Sequence, residues 1–246
     1  MGSTIIPLPV SPVFATTQWS VILRAGGEDS PLQHDAIAQL CRAYWYPLYA
    51  YVRRQGASPE DAQDLTQGFF ARLIERKVVS EADADKGKFR WFILGTLKHY
   101  LANQHDLKAA AKRGGNCIHV SLDDLNVESR YQIEPVTTLS PDKLFDRSWA
   151  VTLLERVREQ LREHYTQAGK LDRFERLESF IPGGQTRGSY EEVARDLGVS
   201  EGALRVELHR LKATYRQFLR SEIAHTVSNP VEIDEELRYL IEVMQG

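Results

Sequence analysis

The sequence predicts an all-α fold of two helical domains joined by a flexible linker, with a short helical extension at the C-terminal end. Three observations predict this class. Apolar residues recur at three- and four-residue spacing in most segments, strand-type alternation is not found, and helix-start signals precede the apolar stripes. The periodicity disappears between residues 116 and 140, in a polar and mildly acidic stretch that indicates the linker.

Composition and cysteine content limit the function classes. The net charge of -3 argues against a chain that binds nucleic acid through bulk positive charge, so any DNA binding must be local or assisted. Cys41 and Cys117 are too few for a disulfide framework, which predicts a reducing cytoplasmic location. Residues 1–15 contain three prolines and no basic start, and predict a disordered tail rather than a signal peptide or a membrane span.

The first predicted domain, residues 16–115, contains four helices. A short helix over 17–24 precedes a longer one over about 31–55. The third helix begins with Ser58 as its N-cap and Pro59 at its first position, and it carries one buried apolar stripe. The residues that this stripe leaves facing outward are Glu60, Asp64, Gln67, Gly68, Ala71 and Glu75.

The fourth helix of this domain is predicted to run from about Lys88 to Arg113, with basic and aromatic residues interleaved. A melted DNA strand needs both, because its bases stack on aromatic rings while its phosphates attract cations. Trp91 and Phe92 are expected to support the core rather than to stack on bases. The candidate contacts to a melted strand are Lys88, Arg90, Lys98, His99, Tyr100 and Asn103.

The second predicted domain, residues 141–228, follows a start signal at residues 140–142 and contains a helix-turn-helix. Ser189 and Glu192 form a capping box, and Gly198 closes the first of the two helices. The second helix buries Leu204, Leu208, Leu211 and Tyr215. Its opposite face fits a DNA major groove; the alternative is an ordinary αα-hairpin whose charged face meets water. The candidate DNA contacts are Ser200, Glu201, Ala203, Arg205, Val206, His209, Arg210 and Lys212.

Residues 229–246 are predicted to form an acidic amphipathic helix after the break at residues 229–230. Such a helix needs a partner surface, and two interpretations stay open. The helix either completes the core of its own chain, or it packs on the basic recognition surface and suppresses DNA binding.

Three segments together resemble a known family. Residues 190–212, YEEVARDLGVSEGALRVELHRLK, resemble region 4 of the extracytoplasmic-function (ECF) sigma factors of bacterial RNA polymerase, which reads the minus-thirty-five promoter element. Residues 61–73, DAQDLTQGFFARL, resemble the part of sigma region 2 that docks on core polymerase. Residues 88–101, KFRWFILGTLKHYL, resemble the part of region 2 that melts and reads the minus-ten element. The resemblance covers about residues 16–225.

This resemblance implies partners as well as domains. Residues 16–115 correspond to sigma region 2 and residues 141–228 to region 4, so the expected partners are core RNA polymerase and promoter DNA. The segment 44–54, YWYPLYAYVRR, suggests a subgroup associated with Ser/Thr protein kinases rather than with the usual anti-sigma factor. The resemblance assigns polymerase binding to Glu60, Asp61, Asp64 and Gln67.

The docking helix departs from the family at two positions. Gln63 and Gly68 stand where the family usually has carboxylates, which predicts weaker docking on the arginines of the polymerase. A phosphate adds about two negative charges, so phosphorylation of Thr66 or Ser58 is a hypothesis for how docking is switched on. The alternative is an unmodified, solvated Thr66.

Catalytic and metal-dependent functions are not favoured, and no cofactor is predicted. The chain has no phosphate-binding glycine loop and no nucleophile signature. His99, His105, Cys117 and His119 are close in sequence without the spacing of metal ligands. Two function classes remain: a sigma subunit that directs promoter recognition and melting, and a helix-turn-helix regulator that binds DNA without polymerase.

Overall fold

The computed structural model describes residues 31–75, 88–110, 127–133, 139–182, 189–224, 226–227 and 229–245. Within these ranges the chain is helical and contains no strand, which confirms the predicted all-α class. The predicted helix over 17–24, the tail and most of the predicted linker lie outside the described residues. None of the helices in the described part combines the length and the apolar character needed to cross a membrane.

Nine α-helices occupy the described ranges. They are α1 Pro31–Arg54, α2 Pro59–Glu75, α3 Phe89–Ala110, α4 Val127–Ile133, α5 Pro141–Gln167, α6 Leu171–Leu177, α7 Tyr190–Asp196, α8 Glu201–Ala224 and α9 Ile233–Gln245. Short 3-10 helices, Glu178–Phe180 and Pro230–Glu232, follow α6 and precede α9.

The predicted helix starts are confirmed by hydrogen bonds to the cap side chains. At the start of α2, the hydroxyl of Ser58 accepts a hydrogen bond of 3.1 Å from the backbone N–H of Asp61. The hydroxyl of Ser140 accepts one of 3.4 Å from the N–H of Lys143 at the start of α5. These caps satisfy backbone donors that the first turn of a helix leaves unpaired, so Ser58 and Ser140 fix where α2 and α5 begin.

Two hydrophobic cores share the helices α5 and α8. The first core combines α1, α2 and α3 with the first half of α5, the end of α8, and α9. The second core combines the second half of α5 with α6, α7 and the first half of α8. Because α5 has 27 residues and is therefore about 40 Å long, it reaches both cores.

The predicted division into two separate domains is not confirmed. Phe145 and Trp149, from the region assigned to the second domain, are buried in the same core as Tyr44 and Phe89 from the first. The change from one core to the other occurs inside α5, between Leu153 and Val157. The sequence predicts the start of this helix correctly but assigns all of it to the second domain, whereas its first half packs in the first core.

A flexible linker over residues 116–140 is also not confirmed, because residues 127–133 form α4. Val127 and Tyr131 pack against the first core. The carboxylate of Glu128 accepts hydrogen bonds from Arg53 of α1, with Nε 3.0 Å from Oε2 and Nη2 2.9 Å from Oε1. This bidentate pair ties the segment to α1 and lowers the pKa of Glu128 to about 2.

Helix α9 completes the first core. Leu240 is buried in that core, while Ile233, Leu237 and Met244 pack against it. The core-completion interpretation of this segment is therefore confirmed. The acidic face of α9 also meets cations: Glu236 contacts Lys88 and Arg90 at the start of α3, and Asp234 pairs with Arg220 near the end of α8.

Candidate nucleic-acid interface

The turn between α7 and α8 has the geometry of a helix-turn-helix. Ser189 and Glu192 form the predicted capping box: the Glu192 carboxylate accepts from the N–H of Ser189 at 2.7 Å, and the Ser189 hydroxyl accepts from the N–H of Glu192 at 3.3 Å. Gly198 adopts φ +64°, a left-handed conformation that costs glycine little, and the chain then turns into α8. The hydroxyl of Ser200 accepts a hydrogen bond of 3.2 Å from the N–H of Ala203, which caps α8.

The two helices are held in place by the second core. Leu204, Leu208, Leu211 and Tyr215 of α8 are buried there as predicted, together with Val193 of α7. Burying this stripe leaves the other face of α8 in solvent. The predicted contacts that are exposed are Ser200, Glu201, Ala203, Arg205, Val206, His209 and Arg210, and Lys212 is partly exposed.

The charge of this motif is balanced rather than basic. Residues 189–216 contain five acidic and five basic side chains. Glu201 forms a 3.4 Å ion pair with Arg205 on the exposed face, and Glu207 pairs with Arg173 of α6. Since nonspecific DNA affinity grows with the number of phosphates that a protein neutralises, this motif alone provides little of it.

The predicted cations of α3, together with Lys88 just before its first residue, contact carboxylates of the same chain. Lys98 forms a 2.8 Å ion pair with Asp142 at the start of α5, and both side chains are exposed. Lys88 pairs with Glu236 of α9, a carboxylate that is 0 % exposed. Burial and the nearby Arg90 lower the pKa of Lys88, whereas the hydrogen bond to Asp142 raises the pKa of Lys98.

Arg90 is the centre of a buried ionic cluster. Its Nε lies 3.1 Å from Oδ1 of Asp146 in α5, and Nη1 contacts Glu236 of α9. The guanidinium carbon lies 4.9 Å from the ring centroid of Trp149 and 4.9 Å from that of Tyr239. Only 2 % of Arg90 is exposed. The structure therefore places this predicted DNA contact in the interior, where it joins α3 to α5 and α9.

The partners of this cluster were not among the predicted site residues. Asp146, Glu236 and Tyr239 lie on helices distant in sequence, and the Tyr239 hydroxyl donates to Asp146. Burial, together with this hydrogen bond, raises the pKa of Tyr239 to about 12. The only sequence signal for the cluster was the acidic face of the last helix. Local sequence patterns could not predict where this helix lies relative to α3.

The other predicted contacts on α3 divide between surface and core. His99 and Asn103 are exposed. Tyr100 is buried between α2 and α3, where its ring meets Phe69 edge to face at 5.8 Å, so it is not available to a base in this arrangement. Trp91 was expected in the core, yet it is 51 % exposed beside Lys88, whose Nζ lies 5.1 Å from the ring centroid.

The predicted polymerase-binding face of α2 is largely exposed. Glu60, Asp61 and Asp64 are exposed and Gln67 is partly so. Gly68 was expected to face outward, but its Cα faces the hydroxyl of Tyr100 from α3. The missing carboxylate at this position therefore coincides with a close approach of two helices.

The two candidate phosphorylation sites differ in accessibility. Thr66 is 0 % exposed, and its hydroxyl donates a 2.7 Å hydrogen bond to the carbonyl oxygen of Ala62. A kinase cannot reach that hydroxyl in the folded chain, and the side chain is not solvated, so both interpretations of Thr66 made from the sequence are wrong. Ser58 is exposed at the start of α2.

The described residues include no group of three or more His, Cys, Asp and Glu side chains arranged to hold a metal ion. Of the four residues weighed for zinc, His99 is exposed, while the side chains of His105, Cys117 and His119 lie outside the described part of the chain.

Comparisons of the chain with protein-family models, with curated proteins and with solved structures find no match.

Proposed function

We propose that the chain is an alternative sigma subunit of bacterial RNA polymerase, acting in the cytoplasm and having no enzymatic step of its own. In this proposal α2 docks on core polymerase, α8 reads duplex DNA at the minus-thirty-five element, and α3 contacts the melted minus-ten segment. The observation that carries the proposal is the exposed face of α8, held by a capped helix-turn-helix.

Charge balance favours a subunit over a stand-alone regulator. A protein that binds DNA alone needs several cations on phosphates, each releasing a counterion. The motif over residues 189–216 has equal numbers of acidic and basic side chains, and Arg205 and Arg173 are paired with glutamates. A partner that itself binds the DNA compensates for the small number of unpaired cations in the motif, and core polymerase is such a partner.

The aromatic and cationic groups of α3 support a role in strand separation. Trp91 offers an exposed indole next to Lys88, and His99 and Asn103 are exposed further along the helix. Stacking of one base on an aromatic ring contributes about 1–3 kcal/mol to single-strand binding. Such a contact is realised only when the DNA opens, which makes it a driving force for melting.

The proposal is tested by selecting DNA from a random-sequence duplex library with the chain alone, with core polymerase alone, and with both. We expect enrichment of a two-part sequence element only when both proteins are present, and specific transcripts from the enriched DNA in a reconstituted reaction. Selection of palindromic sites by the chain alone would favour the regulator. Absence of a complex with core polymerase, before and after kinase treatment, would overturn the sigma proposal.

A further inference from the structure

Three carboxylates of the chain occupy the cations of α3 that are the candidates for single-strand phosphates. Glu236 contacts Lys88 and Arg90, Asp146 contacts Arg90, and Asp142 contacts Lys98. Phosphate and carboxylate oxygens are recognised by the same guanidinium and ammonium donors. The donors of Lys88 and Arg90 that face Glu236 cannot bind this carboxylate and a DNA phosphate at once.

We propose that α9 is an intramolecular clasp that covers the DNA-strand surface of α3 and must be displaced before Lys88 and Arg90 bind phosphate. This inference rests on the proposed function of α3. One interpretation of the sequence places this helix on the recognition surface of the helix-turn-helix. In the structure α9 leaves the DNA-reading face of α8 exposed and covers the start of α3 instead.

The clasp is attached by contacts of two kinds. Leu240 and Leu237 bury apolar surface in the first core, which holds α9 without regard to charge. Glu236 and Tyr239 add polar contacts to Lys88, Arg90 and Asp146. Removing one member of a buried ion pair leaves the other charged and poorly solvated, so the polar contacts are the point where α9 is most easily loosened.

Displacement of α9 leaves part of the cluster intact. Arg90 keeps its bond to Asp146 and its stacking on Trp149, both from α5, so its orientation is preserved. The guanidinium nitrogens that face Glu236 become free donors, and Lys88 is released beside the exposed ring of Trp91. The opened surface then combines two cations with one aromatic ring, the combination suited to a single strand.

The test uses the full-length chain without polymerase, so that it does not depend on docking. The variants are Glu236→Gln and Tyr239→Phe, with Glu242→Gln as the matched control, because Glu242 is an exposed carboxylate on the same helix. Two quantities are measured for each: hydrogen exchange of the α9 amides, and affinity for a short fluorescent oligothymidylate. Exchange of the α1 amides reports whether the rest of the chain stays folded.

We expect exchange in α9 to accelerate at least about tenfold in Glu236→Gln and about threefold to tenfold in Tyr239→Phe. Oligonucleotide affinity is expected to rise by the same factor in each variant. Both the exchange rate of the α9 amides and the affinity depend on the small population of molecules in which α9 is displaced. Glu242→Gln changes neither by more than about twofold. If Glu236→Gln also accelerates hydrogen exchange of the α1 amides, the variant is destabilised as a whole, and the proposal is then judged on Tyr239→Phe.

Faster exchange with unchanged oligonucleotide affinity would overturn the proposal, since α9 would then cover no binding surface. Unchanged exchange in both variants would also overturn it, since Glu236 and Tyr239 would not hold the helix. A wild-type chain that forms no complex with core polymerase would overturn the sigma function separately. Matched gains in exchange and oligonucleotide affinity would still support the clasp in that case.

Discussion

Gly68 of α2 and Tyr100 of α3 are complementary in shape: a Cβ atom on residue 68 would lie 2.5 Å from the hydroxyl oxygen of Tyr100. No real Cβ approaches an oxygen so closely, so either the side chain or the ring must move. The absence of a carboxylate at position 68 is therefore coupled to the presence of a tyrosine at position 100. The two helices can approach only while one of the two residues is small.

This coupling predicts a change of sign in a double-mutant cycle. Gly68→Ala in the wild-type chain is expected to lower the free energy of unfolding by about 1 kcal/mol, because overpacking outweighs the better helix propensity of alanine. With Tyr100→Phe present, the nearest ring atom is Cζ at 3.7 Å, an ordinary contact. There Gly68→Ala is expected to stabilise the chain by about 0.5–1 kcal/mol. Urea unfolding of the four chains measures both values, and equal effects in the two backgrounds would contradict the coupling.

The ion pair between Arg53 and Glu128 predicts a pH-dependent attachment of α4. Because Arg53 lowers the pKa of Glu128 to about 2 in the folded chain, the pair contributes its full stabilisation above the ordinary pKa of 4.5 and loses it as the pH falls towards 2. Glu128→Gln is expected to cost about 1 kcal/mol at neutral pH, a modest value because solvent screens the partly exposed pair.

The measurement is urea unfolding of the wild-type chain and Glu128→Gln at several pH values. The difference between the two free energies should shrink as the pH decreases from about 4.5. A difference that stays constant down to the acid limit would show that the carboxylate charge of Glu128 is not what holds α4.

Arg210 on the exposed face of α8 is expected to contribute to sequence reading and little to stability. Arg210→Ala should weaken binding of the polymerase complex to its selected DNA by about 1–3 kcal/mol, the usual contribution of an arginine on a base edge. The matched control is Arg238→Ala, which removes the same charge from the exposed face of α9. Equal losses in both variants would indicate general electrostatics instead of base contact.

Trp91 and Phe92 are adjacent in α3 and are expected to respond oppositely to truncation. Trp91→Ala should leave the unfolding midpoint nearly unchanged, because the indole is 51 % exposed, but should reduce open-complex formation about tenfold. Phe92 packs against the first core, so Phe92→Ala should lower stability by several kcal/mol. Permanganate footprinting of the DNA reports opening, and thermal unfolding reports stability.

Kinase treatment of the folded chain should modify Ser58 and not Thr66. The Thr66 hydroxyl is buried and bonded to the Ala62 carbonyl, whereas Ser58 is exposed. Peptide mass spectrometry distinguishes the two sites, with Ser58→Ala as the control for the assignment. Phosphate on Thr66 in a chain that remains folded throughout the reaction would contradict this placement.

Local features of the structure could be predicted from the sequence because their causes are local. The capping box of Ser189 and Glu192, the left-handed turn at Gly198 and the buried leucine stripe of α8 each depend on residues within one or two helical turns. The exposed face of α8 follows from that stripe by geometry, so the candidate residues on it are where they were expected.

Long-range features could not be predicted in the same way. Arg90 and Glu236 are 146 residues apart. The spacing of apolar residues within α3 and within α9 does not predict that these two helices contact each other. Trp91 and Tyr100 each carry an aromatic ring on the same helix, yet one is exposed and the other buried, because the neighbouring helices decide which face is covered. Helix α4 was missed since seven residues carry too few apolar positions to show a period.

The shared first core has a consequence for synthesis on the ribosome. Leu40 and Leu240 belong to the same apolar cluster, so the amino-terminal helices emerge long before the residues that finish their packing. Until residues 233–245 have left the exit tunnel, Arg90 lacks its partner Glu236 and part of the apolar surface of the growing chain stays uncovered. We therefore expect the chain to be most vulnerable to aggregation and chaperone capture before that segment appears.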